Sequence, residues 1–173
     1  MPRTIQQTVT FRVPPDQLFD TYLSSRKHTV VTGAKAVMTR AVGAKFMAHA
    51  GHLRGRNLAI VSKRLIVQSW RGSNWKKRDL DSILVLVFSR VRAGGRISLV
   101  QVNVPEAHAS SINRGWLQYY WKPWKAHLRR KSAIGRHDPR LKRTRAILGA
   151  APWSREMKRH PAQGKFPLLG PRH

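Results

Sequence analysis

From Thr4 to Val13 apolar and polar residues take turns: Ile5, Val9, Phe11 and Val13 on one side, Thr4, Gln6, Thr8, Thr10 and Arg12 on the other. Gln7 is the one lapse. A period of two is the signature of a half-buried strand. Pro14-Pro15-Asp16 ends it, and Asp16 is placed to cap a helix through Leu18, Phe19, Tyr22 and Leu23. A second short helix is predicted over Ser25 to Val30. The same alternation then recurs in Lys35–Arg40, Lys45–Ala50, Leu53–Ile60, Arg64–Arg71, Ser82–Arg90 and Gly95–Val104, separated by short turns and one longer loop, Gly72 to Asp81. Connections this short make hairpins, so the middle of the chain reads as an antiparallel meander. After Pro105 the period lengthens. A helix is predicted from about Ala109 to Leu128, capped by Ser110 or Ser111, with Ile112, Trp116, Tyr119, Tyr120 and Leu128 near one face and a kink at Pro123.

The pattern therefore predicts an α+β fold in which a curved antiparallel sheet grips a long C-terminal helix. Past Arg129 the texture changes. The last 45 residues hold thirteen Lys or Arg against two acids, with Pro and Gly scattered among small apolar clusters. Such a composition cannot build a core of its own, and it reads as a basic extension disordered unless bound.

Charge sharpens the picture. Thirty-four Lys and Arg face seven Asp and Glu, a net charge of +27 on 173 residues. Uncompensated charge of this size opposes compaction and is most comfortable beside a polyanion. It argues against an ordinary metabolic enzyme. The chain has no Cys, which removes disulfides, thiolate metal sites and a cysteine nucleophile. No apolar run approaches the roughly 20 residues of a membrane span. The N-terminus has neither the apolar core of a secretory signal nor the Arg/Ser stretch of a transit peptide.

Catalytic constellations are missing too. Asp16 and Asp20 sit at a helix start, Asp79 and Asp81 share a loop with Lys76, Lys77 and Arg78, and Glu106 follows Pro105; none forms an acid–base pair. His49 and His52 have metal-like spacing but no third ligand nearby. No Ser-His-Asp set, phosphate loop or dinucleotide fingerprint is present, and no cofactor is implied.

Five segments occur in an order that resembles a known family: Val31-Thr-Gly-Ala34, Gly43-Ala-Lys-Phe46, Gly51-His-Leu-Arg-Gly-Arg-Asn-Leu58, Ile66-Val-Gln-Ser-Trp-Arg71 and Gly115-Trp-Leu-Gln-Tyr-Tyr-Trp-Lys-Pro123. Together they look like the domain of activators of the heat-shock-protein-90 ATPase, a branch of the START-like (SRPBCC) helix-grip superfamily. The resemblance assigns residues 1–128 to a START-like domain and leaves 129–173 as the basic extension. It implies a cavity between sheet and helix, with Trp70, Trp116 and Tyr120 as candidate lining, and a role in binding hydrophobic ligands or serving a chaperone. Full co-chaperones of this kind carry a further N-terminal domain to which nothing here corresponds. The departures from the family pattern lose an acid (Asn57-Leu58-Ala59-Ile60) and add bases (Lys76-Lys77-Arg78), as if an old scaffold had been adapted to a polyanion.

Weighing charge above family, the sequence predicts a non-enzymatic RNA-binding subunit of a ribonucleoprotein, a cytoplasmic or mitochondrial ribosome, contacting rRNA and neighbouring subunits. In a meander, turns alternate between ends, so Arg40, Lys45, Lys63, Arg64, Arg90, Arg92 and Arg96 are expected at one end and Lys76, Lys77 and Arg78 at the other. The helix and extension add Arg129, Arg130, Lys131, Arg140, Lys142, Arg143 and Arg145. These residues are the predicted phosphate contacts. Trp70, Trp116 and Tyr119 read as core, whereas Trp75 and Trp153 are open to base stacking. The alternative is the START-like reading, a hydrophobic-ligand carrier or an associate of heat-shock protein 90.

Overall fold

The computed structural model describes residues 1–137, of which Met1–Ile134 form one compact unit. The extension predicted to start at Arg129 is helical as far as His137; Arg140, Lys142, Arg143, Arg145 and Trp153 lie outside the described residues.

Six antiparallel strands make one sheet: β1 (Arg3–Phe11), β2 (Lys45–Ala48), β3 (Leu53–Val61), β4 (Leu65–Gly72), β5 (Ser82–Val91) and β6 (Gly94–Val104). Their order is β1-β6-β5-β4-β3-β2, so the first strand closes against the last and the meander between them stays sequential. Two short helices, α1 (Pro15–Leu23) and α2 (Ser25–Thr32), follow β1. The chain ends its described part in α3 (Glu106–Gly115), a π-helical turn (Trp116–Trp121) and α4 (Lys122–His137). Inward positions alternate along each strand, with Ile66, Leu84, Leu86, Ile97 and Leu99 essentially inaccessible. Leu18, Phe19, Tyr22, Trp116, Trp121 and Trp124 cover them from the helical side.

Three local expectations change. The segment 35–40 is not a full strand but a single bridge, Val37 to Met47. Its neighbouring backbone groups are taken by α2 instead: Thr29 Oγ1 accepts from the Ala36 N–H, and Ser25 Oγ bonds both the N–H and the carbonyl of Met38. With those groups satisfied elsewhere, no ladder extends past Val37. Asp16 lies inside the first turn of α1, behind Pro14 and Pro15, and α3 begins at Glu106, so Ser110 and Ser111 are interior rather than caps. Pro123 brings a wider turn rather than a break. The Lys122 N–H reaches back five residues to the Leu117 carbonyl. Proline lacks an N–H and crowds the carbonyl four residues earlier; widening the preceding turn relieves that crowding. The same turn brings Trp121 and Trp124 into the core and leaves Tyr119 about half exposed, against its expected burial.

Polar residues at inward strand positions bond to one another. The Tyr22 hydroxyl donates to Gln68 Oε1 (2.8 Å), Gln68 Nε2 to Asn57 Oδ1 (2.8 Å), and Asn57 Nδ2 to the carbonyls of Thr39 and Ala41. A second chain runs from Trp116 Nε1 to Gln101 Oε1 (2.9 Å), from Gln101 Nε2 to Ser82 Oγ (2.9 Å), and on to the Trp70 carbonyl. Gln7, the lapse in the first strand, accepts from Trp121 Nε1 and donates to the carbonyl and side chain of Asn113. It ties the sheet edge to α3 and to the last residue of the π turn. Gln7→Ala should cost about 1–2 kcal/mol, because it leaves a part-buried indole N–H without its acceptor. Urea unfolding checks this; an unchanged midpoint would mean water serves Trp121 equally well.

Candidate functional site

At the end of the sheet where β3 begins and β4 ends, the layers part around a half-open cavity of about 360 Å³. Leu53, Trp70 and Gly72 form its sheet wall, and Asn74 and Trp75 approach from the loop after β4. His49 and His52 come from the turn between β2 and β3; Tyr119 and Tyr120 come from the π turn. The turn is tight because His49, Ala50 and Gly51 all take positive φ (49°, 55° and 93°). His108, Ser111, Ile112 and Gly115 of α3, together with Trp116, close the helical side.

Aromatic contacts build the walls. Trp70 stacks on Trp116 (6.0 Å, 29° between planes) and Trp75 on His108 (6.0 Å, 14°). The His49 ring meets Tyr119 and Tyr120 at 5.8 and 5.3 Å. Burial, and to a lesser degree the neighbouring His52, hold the His49 imidazole below its ordinary pKa. Burial likewise raises the Tyr120 phenol above its ordinary value. Both groups are thus kept neutral near pH 7. Beneath them His28 is essentially inaccessible, and Tyr22, Tyr120 and Trp124 surround it edge-on.

The three residues predicted as cavity lining, Trp70, Trp116 and Tyr120, all face this space. Trp75, read as open to stacking on a base, is buried against Trp70. The histidines escaped sequence reasoning, apart from the spacing of His49 and His52. Among the described residues no three His, Cys, Asp or Glu converge as a metal site, and no helix is long and apolar enough to cross a membrane.

The predicted phosphate contacts are distributed differently. Sheet register places the turns around 62–64 and 92–93 at the end opposite the cavity mouth. Lys45, Arg64, Arg90, Arg92 and Arg96 are exposed, as are Lys76, Lys77, Arg78, Arg129 and Arg130. Lys131 falls within α4. Arg40 and Lys63 instead converge on Asp20 (2.7 and 2.5 Å), each also over the Phe19 ring at 5.6 Å. Burial resists ionisation of Asp20, but hydrogen bonds from Lys63 and Arg40 together outweigh it and lower its pKa. Asp79 and Asp81 serve the loop after β4: Asp79 accepts from the Lys76 N–H, and Asp81 pairs with Arg71, which also bonds the carbonyls of Asp79 and Lys76.

Residues 12–129 match the model of the family "Activator of Hsp90 ATPase homolog 1-like protein". The chain belongs to this family. A relative in Dictyostelium discoideum, an activator of 90 kDa heat shock protein ATPase homolog, is 25% identical over 118 residues, 66% of this chain but only 30% of that protein. Among solved structures, an HSP90 activator from Plasmodium falciparum superposes with a TM-score of 0.64 at 23% identity, over 74% of this chain and 96% of that one. The Aha1 dimer from Colwellia psychrerythraea gives 0.62 at 11% identity, over 73% and 96%. At these identities the structures establish the α+β helix-grip fold alone.

Family membership overturns the expectation of a ribosomal RNA-binding subunit. A family of Hsp90 ATPase activators matches from the end of β1 into α4, and the relatives point to a chaperone rather than to RNA. The error has a physical source. Net charge reports a surface that suits any acidic partner, whereas the fold and its cavity are set by the apolar pattern beneath.

Proposed function

We propose that this protein is a non-enzymatic, Hsp90-associated module of the co-chaperone type. The observation that carries the reading is the family match across residues 12–129, which takes in the helix grip from α1 into α4. The chain spans under a third of its Dictyostelium relative, and the role proposed for the matched domain is docking on the chaperone. The excess of cations supports a steered encounter with an acidic surface, which speeds association and makes it salt-sensitive. Mixed with purified Hsp90, the protein should co-elute with it at low salt and release progressively as salt rises. Failure to form a complex, with or without nucleotide, would sink the reading; a complex that leaves the ATPase rate unchanged would fit docking alone.

A second reading, favoured by the cavity, is that the START-like body holds a small hydrophobic ligand. A half-open space lined by aromatic rings with a few polar groups has the form of such sites.

A further inference from the structure

We propose that the outer face of the sheet, turned away from the helices, is the surface that docks on the chaperone, and that it takes an acidic protein surface bearing aliphatic side chains. This rests on the docking reading and names the face that serves it.

The first support is the pattern of the central strands. A sheet covered on one side alternates apolar and polar residues, whereas strands covered on both sides run apolar throughout. β1 alternates, with Thr4, Gln6, Thr8 and Thr10 turned outward. β5 does not: Ile83 to Phe88 are six apolar residues in a row. Leu84, Leu86 and Phe88 are buried in the core, which leaves Ile83, Val85 and Val87 outward. Register widens that row into a block. Leu65 lies between Val61 and Val87, and Val67 between Ala59 and Val85. Val100 and Val102 stand beside Val85 and Ile83 on the other flank. The described helices pack on the opposite face, so Val61, Val87 and Val102 keep 49, 42 and 37% of their surface exposed.

The second support is the charge around that block. None of the six strands contains an Asp or Glu. Arg54 and Arg56 alternate with buried Leu53 and Asn57, so both turn outward at one end of the block. Arg96 does so at the other end, beside Ser89. Lys45 sits directly across from Arg56, and Arg54 directly across from Arg71. Like charges so placed repel. Arg71 has Asp81, but Lys45, Arg54, Arg56 and Arg96 have no carboxylate partner among the described residues. Carboxylates brought by a partner relieve the repulsion, and guanidinium groups take them in a two-point fork. An aliphatic centre with an arginine rim is the layout of a protein interface.

The same features weigh against other occupants. A second copy would set arginines against arginines. A membrane surface is met by Trp and Tyr, yet the aromatic residues of the strands, Phe11, Phe46, Trp70 and Phe88, are all buried.

The test titrates the labelled chain with purified Hsp90 and reads fluorescence anisotropy. Val87→Lys/Val102→Lys breaks the apolar block while raising the positive charge. It should bind at least about tenfold more weakly than the parent. Mere attraction between opposite net charges would tighten it instead. Arg54→Gln/Arg56→Gln should weaken binding by about threefold to tenfold and flatten its salt dependence. Lys76→Gln/Lys77→Gln removes the same charge from the loop after β4 and should change binding by less than about twofold. All six side chains are exposed, and urea midpoints show that each variant is folded. A parent that does not bind Hsp90 would remove the docking reading and this face with it. A lysine pair that binds as well as the parent, or better, would move docking off this face and leave the docking reading standing. If that variant failed to fold, equal losses from the two glutamine pairs would overturn the proposal on their own. Self-association of the parent that the lysine pair abolishes would give the face to a second copy. Adsorption to phosphatidylserine vesicles abolished in the same way would give it to a membrane, and either result would overturn the proposal.

Discussion

Replacing Gly55 by alanine is expected to cost about 3 kcal/mol or more of folding stability and to take the cavity with it. Gly55 lies in β3 opposite Trp70 of β4. A Cβ there would stand 1.9 Å from the Ser69 carbonyl oxygen and 2.8 Å from Phe46 Cε1. The first obstacle is backbone in the neighbouring strand, which cannot rotate away as a side chain would. The strands are already locally irregular: the Arg56 N–H bonds Ser69 Oγ, and the register shifts between Asn57 and Ala59. Room for a methyl group must come from parting β3 and β4, which carry Leu53 and Trp70 into the cavity wall. Gly115→Ala is the contrasting control. Its Cβ meets only Tyr119 Cδ2, at 3.7 Å, an ordinary contact. Alanine is the better helix former, so that variant should gain up to about 1 kcal/mol. Urea unfolding of both separates the cases, and a Gly55→Ala midpoint equal to that of the parent would show that the strands part freely.

That contrast marks what the sequence disclosed. Period-two runs located β1 and β3 through β6 almost to the residue, because each strand has one face on the core and one toward water. The bridge at Val37 was harder to read, since whether 35–40 extends as a strand depends on Ser25 and Thr29 claiming its backbone. The segments that resemble the family identified the fold, and Trp70, Trp116 and Tyr120 were named as lining from them. Trp75, His49, His52 and His108 join the site from a loop, a turn and the start of the helical layer, which meet only when the sheet curls. One signal for the interior was present and underused. Gln7, Gln68 and Gln101 each interrupt an inward apolar row, and each proves to bond a side chain from the helical layer: Trp121, Tyr22 and Trp116. A polar residue at an inward strand position announces a buried partner. The net charge misled for the opposite reason. It resides on exposed side chains and identifies a kind of partner surface, not the partner.

Acid should loosen this protein well before its carboxylates protonate, and His28 is the reason. Its Nδ1 lies 2.9 Å from the Tyr22 carbonyl, so the neutral ring donates there and turns a bare Nε2 into the core. Burial chiefly, and the nearby His49 slightly, depress its pKa to about 4 from 6.5, although the bond to Tyr22 pulls the other way. Between those values the unfolded chain binds a proton at this position that the folded chain refuses, so stability falls as pH falls. Each unit of difference is worth about 1.4 kcal/mol, giving a loss of about 3 kcal/mol on going from neutral pH to pH 4. His49, depressed in the same direction, adds to the slope. Asp20 acts only lower: its lowered pKa keeps it ionised until below its ordinary 3.8, so its stabilisation is lost in a separate, more acidic window. His28→Phe keeps a ring against Tyr22, Tyr120 and Trp124 but cannot titrate. It should be less stable than the parent at neutral pH, by about 1 kcal/mol for the lost bond to Tyr22. Its stability should nevertheless change much less between pH 6.5 and 4. Urea midpoints across that range measure the difference directly, and a parent and variant that lose stability in parallel would move the acid sensitivity to another group. Because Tyr120 packs on His28 from the cavity wall, the same protonation should also weaken any ligand held above it.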